Sequence, residues 1–149
     1  MACLAGHMSI VDQLKQAALR LSSLCDASIA AIEAESDVAH ATNPLDYAWP
    51  HHVQYLEQWG GLGAKVLLLG MNPGPWGMAQ TGVPFGATNV AQDFLNIRPK
   101  QLSTPSNAHP KRPIEGMALE RQEISGTRLW NLMETYFGTS TKTFEHIFV

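Results

Sequence analysis

Val66-Leu67-Leu68-Leu69-Gly70-Met71-Asn72-Pro73-Gly74-Pro75-Trp76-Gly77-Met78-Ala79-Gln80-Thr81-Gly82-Val83-Pro84-Phe85-Gly86 decides how the chain is read. Its first four residues form an unbroken aliphatic run of strand length, which predicts a strand buried on both faces beneath covering helices. The seventeen residues that follow hold five Gly and three Pro, too many breakers for a regular element. A rigid strand therefore delivers the chain into a long loop with exposed backbone. In open α/β sheets ligands bind at that end of the strands, so a site is expected here.

A chain of 149 residues, 45% hydrophobic and 15% charged, has room for one packed domain. No run is long enough to span a bilayer, and no charged start with a long apolar stretch marks a secretory signal. Met1 to Met8 resembles a cloning remnant, so residues 9–149 are expected to be the native part of a single domain. Of the two cysteines, Cys3 lies in that remnant and Cys25 stands alone, which gives no disulfide framework and suits a reducing compartment. An intracellular protein is expected, nuclear in a eukaryote and cytoplasmic in a bacterium.

The formal net charge of −3 argues mildly against a nucleic-acid partner, but its distribution argues the other way. Ser9 to Trp59 carries seven acids and two bases, whereas Trp76 to Ile114 carries Arg98, Lys100, Lys111 and Arg112 against Asp93 alone. Positive potential collects around the loop.

Ser9 followed by Asp12 predicts a capped helix start, and Ile10, Val11, Leu14, Ala17, Ala18, Leu21 and Leu24 recur at helical spacing to about Cys25. The pattern weakens from Asp26 to His40. Pro50 opens a short helix from His51 to Trp59, closed by Gly60-Gly61. His51-His52 lacks further ligands at metal-binding spacing, so no metal is expected. Lys65 to Gly70 is the strand. Thr88 or Asn89 is expected to cap a helix to about Ile97, Arg98 to Pro113 is a surface loop, and Ser125 is expected to cap a helix that Gly138 stops. Thr143 to Val149 reads as a second strand, parallel to the first. Two parallel strands leave faces and edges uncovered, which implies the first part of a larger domain.

Backbone N–H groups at Gly70-Met71-Asn72-Pro73-Gly74 suit a flat or anionic ligand. Pro73 restricts Asn72 to extended geometry, and Phe85, between Pro84 and Gly86, could stack on a planar base. Composition leaves the alternatives open: Asn72 as a turn former, Phe85 as a core plug, the glycines as turn hardware. No Gly-Lys-Ser/Thr follows, which disfavours a triphosphate site.

Gly70 to Gly86 closely resembles the first active-site motif of the single-strand-selective monofunctional uracil-DNA glycosylases. The likeness continues through Asn43-Pro44-Leu45-Asp46-Tyr47-Ala48-Trp49, His109-Pro110-Lys111-Arg112-Pro113, Ile124-Ser125-Gly126-Thr127-Arg128-Leu129-Trp130 and Phe148-Val149. It implies an α/β fold, a three-layer α/β/α sandwich around a central parallel sheet of about four strands. The implied activity is excision of uracil and 5-modified uracils from DNA in base-excision repair, by a monofunctional enzyme without cofactor or metal. DNA containing such bases is the implied partner, with no membrane, and the protein is expected to be monomeric.

Carried onto this sequence, the likeness makes Asn72 the catalytic side chain that positions water. Met71 would offer backbone to a base carbonyl, Gly74 would leave room at the base's 5-position, and Phe85 would stack on the flipped base. Charge alone suggests that Lys111 and Arg112 meet phosphate; a solvated turn is the alternative. The family also uses a second Asn after the strand ending at Val149 and a later His-containing motif, which places this chain as the N-terminal portion of the domain, expected to be inactive by itself. The rival readings are a noncatalytic DNA-binding or scaffold module that kept the fold, and a nucleotide-binding enzyme.

Overall fold

The computed structural model describes residues 8–149, so the reading of the first seven residues as a remnant lies outside it. Nine regular elements are joined by one 3-10 turn: α1 (Ile10–Glu35), α2 (Pro44–Tyr47), α3 (Trp49–Trp59), β1 (Val66–Leu67), α4 (Met78–Thr81), α5 (Thr88–Asp93), the turn Gly116–Ala118, α6 (Ile124–Phe137), α7 (Ser140–His146) and β2 (Ile147–Phe148). β1 and β2 are parallel, Val66 opposite Ile147 and Leu67 opposite Phe148, as the order of the segments implied. No described helix is long and apolar enough to cross a membrane.

The core is aromatic. Trp59 and Phe144 stack with ring centroids 4.9 Å apart, and Tyr55 and Trp130 close on Phe144 at 5.7 Å each. Trp130, Phe144 and Tyr55 are essentially without exposed surface. Their polar atoms are matched, as burial demands: Trp59 Nε1 donates to the Leu95 carbonyl at 3.0 Å and the Tyr55 hydroxyl to that of Val149. These bonds join α3 to the residues that follow α5 and β2.

Ser9 caps α1 by accepting from the Asp12 amide at 3.1 Å, as its spacing predicts. The helix runs ten residues past its expected end to Glu35. Ala27, Ala30, Ala31 and Ala34 explain the extension, since alanine favours helix without adding to an apolar stripe. Expected to dock by that stripe, α1 instead lays only Leu14 and Ala18 on the core and exposes Leu19, Leu21, Leu24 and Ile32. A polar knot holds it: the Asn43 carboxamide donates to the Ser22 carbonyl (3.0 Å), Ser22 Oγ (2.8 Å) and Asp26 Oδ1 (2.9 Å), and its oxygen caps α2 at Leu45.

Four other expectations give way. The run from Val66 to Leu69 is not buried on both faces: Val66, Leu67 and Leu69 are 51%, 65% and 88% exposed, because β2 is the one described neighbour of β1 and only Leu68 packs on the core. Thr143 to His146 is helical, with Thr139 as cap and Phe144 seated in the aromatic core, so tertiary packing overrides a strand-like composition. The caps of α5 and α6 are Ala87 and Glu123 rather than Thr88, Asn89 or Ser125; the Thr88 hydroxyl donates instead to the Leu119 carbonyl, and α5 ends at Asp93. The breaker-rich loop also holds one helical turn, α4, stopped by Gly82 in the left-handed region at φ 71°.

Emptying the aromatic core should be severe. Phe144→Ala is expected to lower unfolding free energy by about 3–5 kcal/mol, read as a shifted denaturant midpoint, whereas Leu132→Ala on the exposed face of α6 should leave the midpoint nearly unchanged.

Candidate active site

The loop from Gly70 to Gly86 is fastened at its far end. His51 and His52, adjacent on α3, reach it separately: His51 Nδ1 lies 3.1 Å from the Thr81 carbonyl and His52 Nδ1 2.8 Å from that of Gly82. The Lys100 amide donates to His51 Nε2 at 2.8 Å, so that nitrogen carries no proton and Nδ1–H must be the donor. The ring is thereby held neutral. Desolvation lowers the pKa of both histidines against a smaller opposing pull from their backbone partners. The pair considered for metal binding is a clamp on the loop.

Phe85 is the second fastening. Its backbone has φ 50°, a left-handed conformation that costs a phenylalanine energy and persists only where its surroundings enforce it. The enforcing bond comes from Trp130, whose indole N–H donates to the Phe85 carbonyl at 3.1 Å. Gly126 on α6 passes so close beneath this carbonyl that a Cβ there would overlap it. The ring is turned back over Gly70, where a Cβ would lie 3.2 Å from Cε2. Phe85 is half-buried; one side touches the core and the other faces a cavity.

That cavity has a volume of about 920 Å³ and is walled by α1, the strand end, the loop and the start of α6. Met71, Asn72, Gly74 and Phe85 all line it. The Met71 side chain is 96% exposed, which leaves its backbone as the part positioned by the fold. The Asn72 carboxamide is exposed, and its one hydrogen bond runs from Nδ2 to the neighbouring Pro73 carbonyl at 3.3 Å, so its oxygen is available to a ligand. Among the described residues, the amides of Gly70, Met71, Asn72 and Gly74 donate to nothing, giving a row of N–H groups at the cavity edge.

The two basic candidates separate. Lys111 stands in a solvent-facing turn, its amide 3.1 Å from His109 Nδ1, and does not line the cavity. Arg112 does not line the cavity either, but its guanidinium lies 5.8 Å from the ring centroid of Trp76, which does. Arg121 stacks on the same ring at 4.2 Å. Neither Arg121 nor Trp76 was singled out in the sequence, since a lone arginine far from the loop carries no pattern. Glu123 was also missed, and its carboxyl lies directly over Gly74 and Gly77.

Over 141 residues, 95% of its length, the chain is 41% identical to the single-strand selective monofunctional uracil-DNA glycosylase of Rattus norvegicus and 40% identical to that of Mus musculus. Over 107 residues, 72% of this chain, it is 44% identical to the Bos taurus protein of the same name. Over nearly its whole length the chain is thus similar to proteins of the single-strand-selective monofunctional uracil-DNA glycosylase family. It covers 49% of the rat and mouse proteins and 39% of the bovine one, and so spans about half the length of the relatives it matches. No family model matches it. The described residues form a mixed helical body with a small parallel sheet, and the motif loop lies at the end of that sheet's first strand.

The histidine clamp has a pH signature. Both pKa values are lowered in the fold, so the neutral form's full contribution is present above the ordinary value of about 6.5 and is lost as pH falls below it toward the lowered values. Thermal midpoints should fall between pH 7 and pH 5, by at most about 1.4 kcal/mol per histidine per pH unit. His51→Gln should lower the midpoint at pH 7.5 and flatten this acid limb.

Proposed function

We propose that the protein to which this chain belongs is a DNA glycosylase that hydrolyses the N-glycosidic bond of uracil and 5-modified uracils in single-stranded or locally opened DNA. The carrying observation is that Asn72, Met71, Gly74 and Phe85, drawn from both ends of the loop, face one cavity at the strand end.

The assigned roles follow from the chemistry. Breaking the bond between C1′ and N1 leaves the bonding pair on the base and an oxocarbenium-like sugar, so the site has to stabilise departing negative charge and hold a nucleophile ready. Water adds to C1′, and the proton it releases balances the one the departing base takes up. A carboxamide is too weak a base to ionise water, but the Asn72 oxygen can accept a hydrogen bond from it and aim it. Amides along Gly70 to Gly74 offer donors to a base carbonyl, with Met71 contributing backbone. Such a positioned donor is worth about 3–4 kcal/mol.

Extruding the base costs a few kcal/mol, which stacking on the exposed side of the Phe85 ring offsets. Gly74 stands at the 5-side of the base. Arg112 and Lys111 are assigned to phosphate, Arg112 more directly because its guanidinium lies near Trp76, which lines the cavity. In the complete protein the two strands would belong to the central parallel sheet of a three-layer α/β/α sandwich, which would cover the exposed aliphatics of β1.

The test is release of uracil from a labelled single-stranded oligonucleotide by the complete protein. Asn72→Ala is expected to lower the single-turnover rate about a hundredfold or more. An unchanged rate removes Asn72 from the mechanism. Absence of release by the unaltered protein favours a noncatalytic DNA-binding module.

A further inference from the structure

Trp76 and Arg121 are used by none of these steps, yet the fold brings them together with Arg112 from three separate segments. Trp76 belongs to the loop, Arg112 to the proline-rich stretch before the 3-10 turn and Arg121 to the approach to α6. Both guanidiniums share the one indole, Arg121 at 4.2 Å and Arg112 at 5.8 Å from its centroid. Gln80, almost wholly buried on α4, fixes this meeting. Its Nε2 donates to the Pro113 carbonyl at 3.1 Å and its Oε1 accepts from the Glu115 amide at 2.8 Å. The residues that follow Arg112 are thereby tied to the helical turn that follows Trp76.

No carboxylate explains where the arginines stand. The one ion pair among the described residues joins Lys15 to Glu57, so neither guanidinium is matched. Glu115 and Glu120 are exposed and paired with neither. The Glu123 carboxyl is packed against Gly77 and Gly126, and burial pushes its pKa up, toward the neutral form. Two like charges on one ring repel each other, a cost that an anion held by both removes. Stacking occupies the flat face of a guanidinium and leaves the N–H donors along its edge for that anion.

Trp76 and Arg121 line the same cavity as Asn72 and Phe85, so a strand whose base enters the cavity carries its backbone past them. We propose that Trp76 mounts Arg112 and Arg121 as a phosphate clamp, which grips a phosphodiester of the single strand beside the extruded nucleotide. A guanidinium offers two parallel N–H bonds to phosphate oxygens, and the ring aligns each fork before the strand arrives. Such a contact reads no base; it fixes the register in which the strand lies across the cavity. The inference rests on the glycosylase reading and adds Arg121 and Trp76 to its DNA contacts.

The experiment measures, over a range of salt concentrations, binding of the complete protein to a single-stranded oligonucleotide with one 2′-fluorodeoxyuridine, whose fluorine resists cleavage. Arg112→Gln and Arg121→Gln should each weaken binding about fivefold and lower the slope of log Kd against log salt by about 0.7, the share of one single-strand phosphate. Arg121→Lys keeps the charge but loses the stack and the fork, and should keep the slope while losing affinity. Lys142→Gln, exposed on α7, should match the unaltered protein. Neutral methylphosphonate linkages are then placed one at a time on either side of the analogue. At the gripped linkage the losses from neutralisation and from Arg121→Gln should fail to add, whereas elsewhere they add. Additive losses at every linkage, unchanged slopes in both glutamine variants, or full affinity in Arg121→Lys overturn the proposal. Failure of the unaltered protein to release uracil from an ordinary oligonucleotide, with binding intact, strikes the glycosylase reading alone. Melting curves show that the variants remain folded.

Discussion

The hydrogen bond from the Trp130 indole to the Phe85 carbonyl is the constraint on which the site depends. It joins a fully buried core residue of α6 to a loop residue whose backbone is in a conformation it would otherwise leave. Without that donor the carbonyl would keep only its local bond from the Ala87 amide at 3.0 Å, and the left-handed turn would lose its anchor to the core. With it, the ring lies over Gly70 and the two ends of the loop meet. The glycines around it, Gly70 and Gly126, are required less for conformational freedom than for closeness, because any side chain would occupy the space the ring or its carbonyl uses.

Rigidity is thus divided. Residues 81–86 are held by the two histidines, by Trp130 and by the Thr81 hydroxyl bonding to the Gly86 carbonyl at 3.0 Å. Residues 70–74 carry almost no internal hydrogen bonds and present their amides outward. Recognition by a flat, polar ligand needs both properties: a fixed surface for stacking and unpaired donors for the edge. A loop whose amides were all satisfied internally would be stiffer and chemically silent.

Much of this was legible in the residues, for identifiable reasons. The aliphatic run followed by clustered Gly and Pro located the strand end, the parallel partner and the loop. Asn72 and Phe85 stood out because prolines flank them and restrict where they point. What stayed hidden depends on tertiary packing. Thr143 to His146 has a strand's composition but becomes helix because Phe144 completes an aromatic cluster assembled from distant segments. The exposed β1 reads as buried because hydrophobicity says what a residue prefers and not which neighbours are present. Arg121 and Glu123 belong to no local pattern; only the fold brings them to the loop.

The uncovered strand β1 has a consequence for how this polypeptide behaves in solution. One edge is occupied by β2, while the other offers unpaired backbone beside the solvent-facing aliphatic side chains of Val66, Leu67 and Leu69. Such a border is a template that accepts any extended peptide, including its own twin from another molecule. Prepared by itself, the polypeptide will self-associate with rising concentration, and a soluble fusion partner or a short β-strand peptide supplied in trans will keep it dispersed.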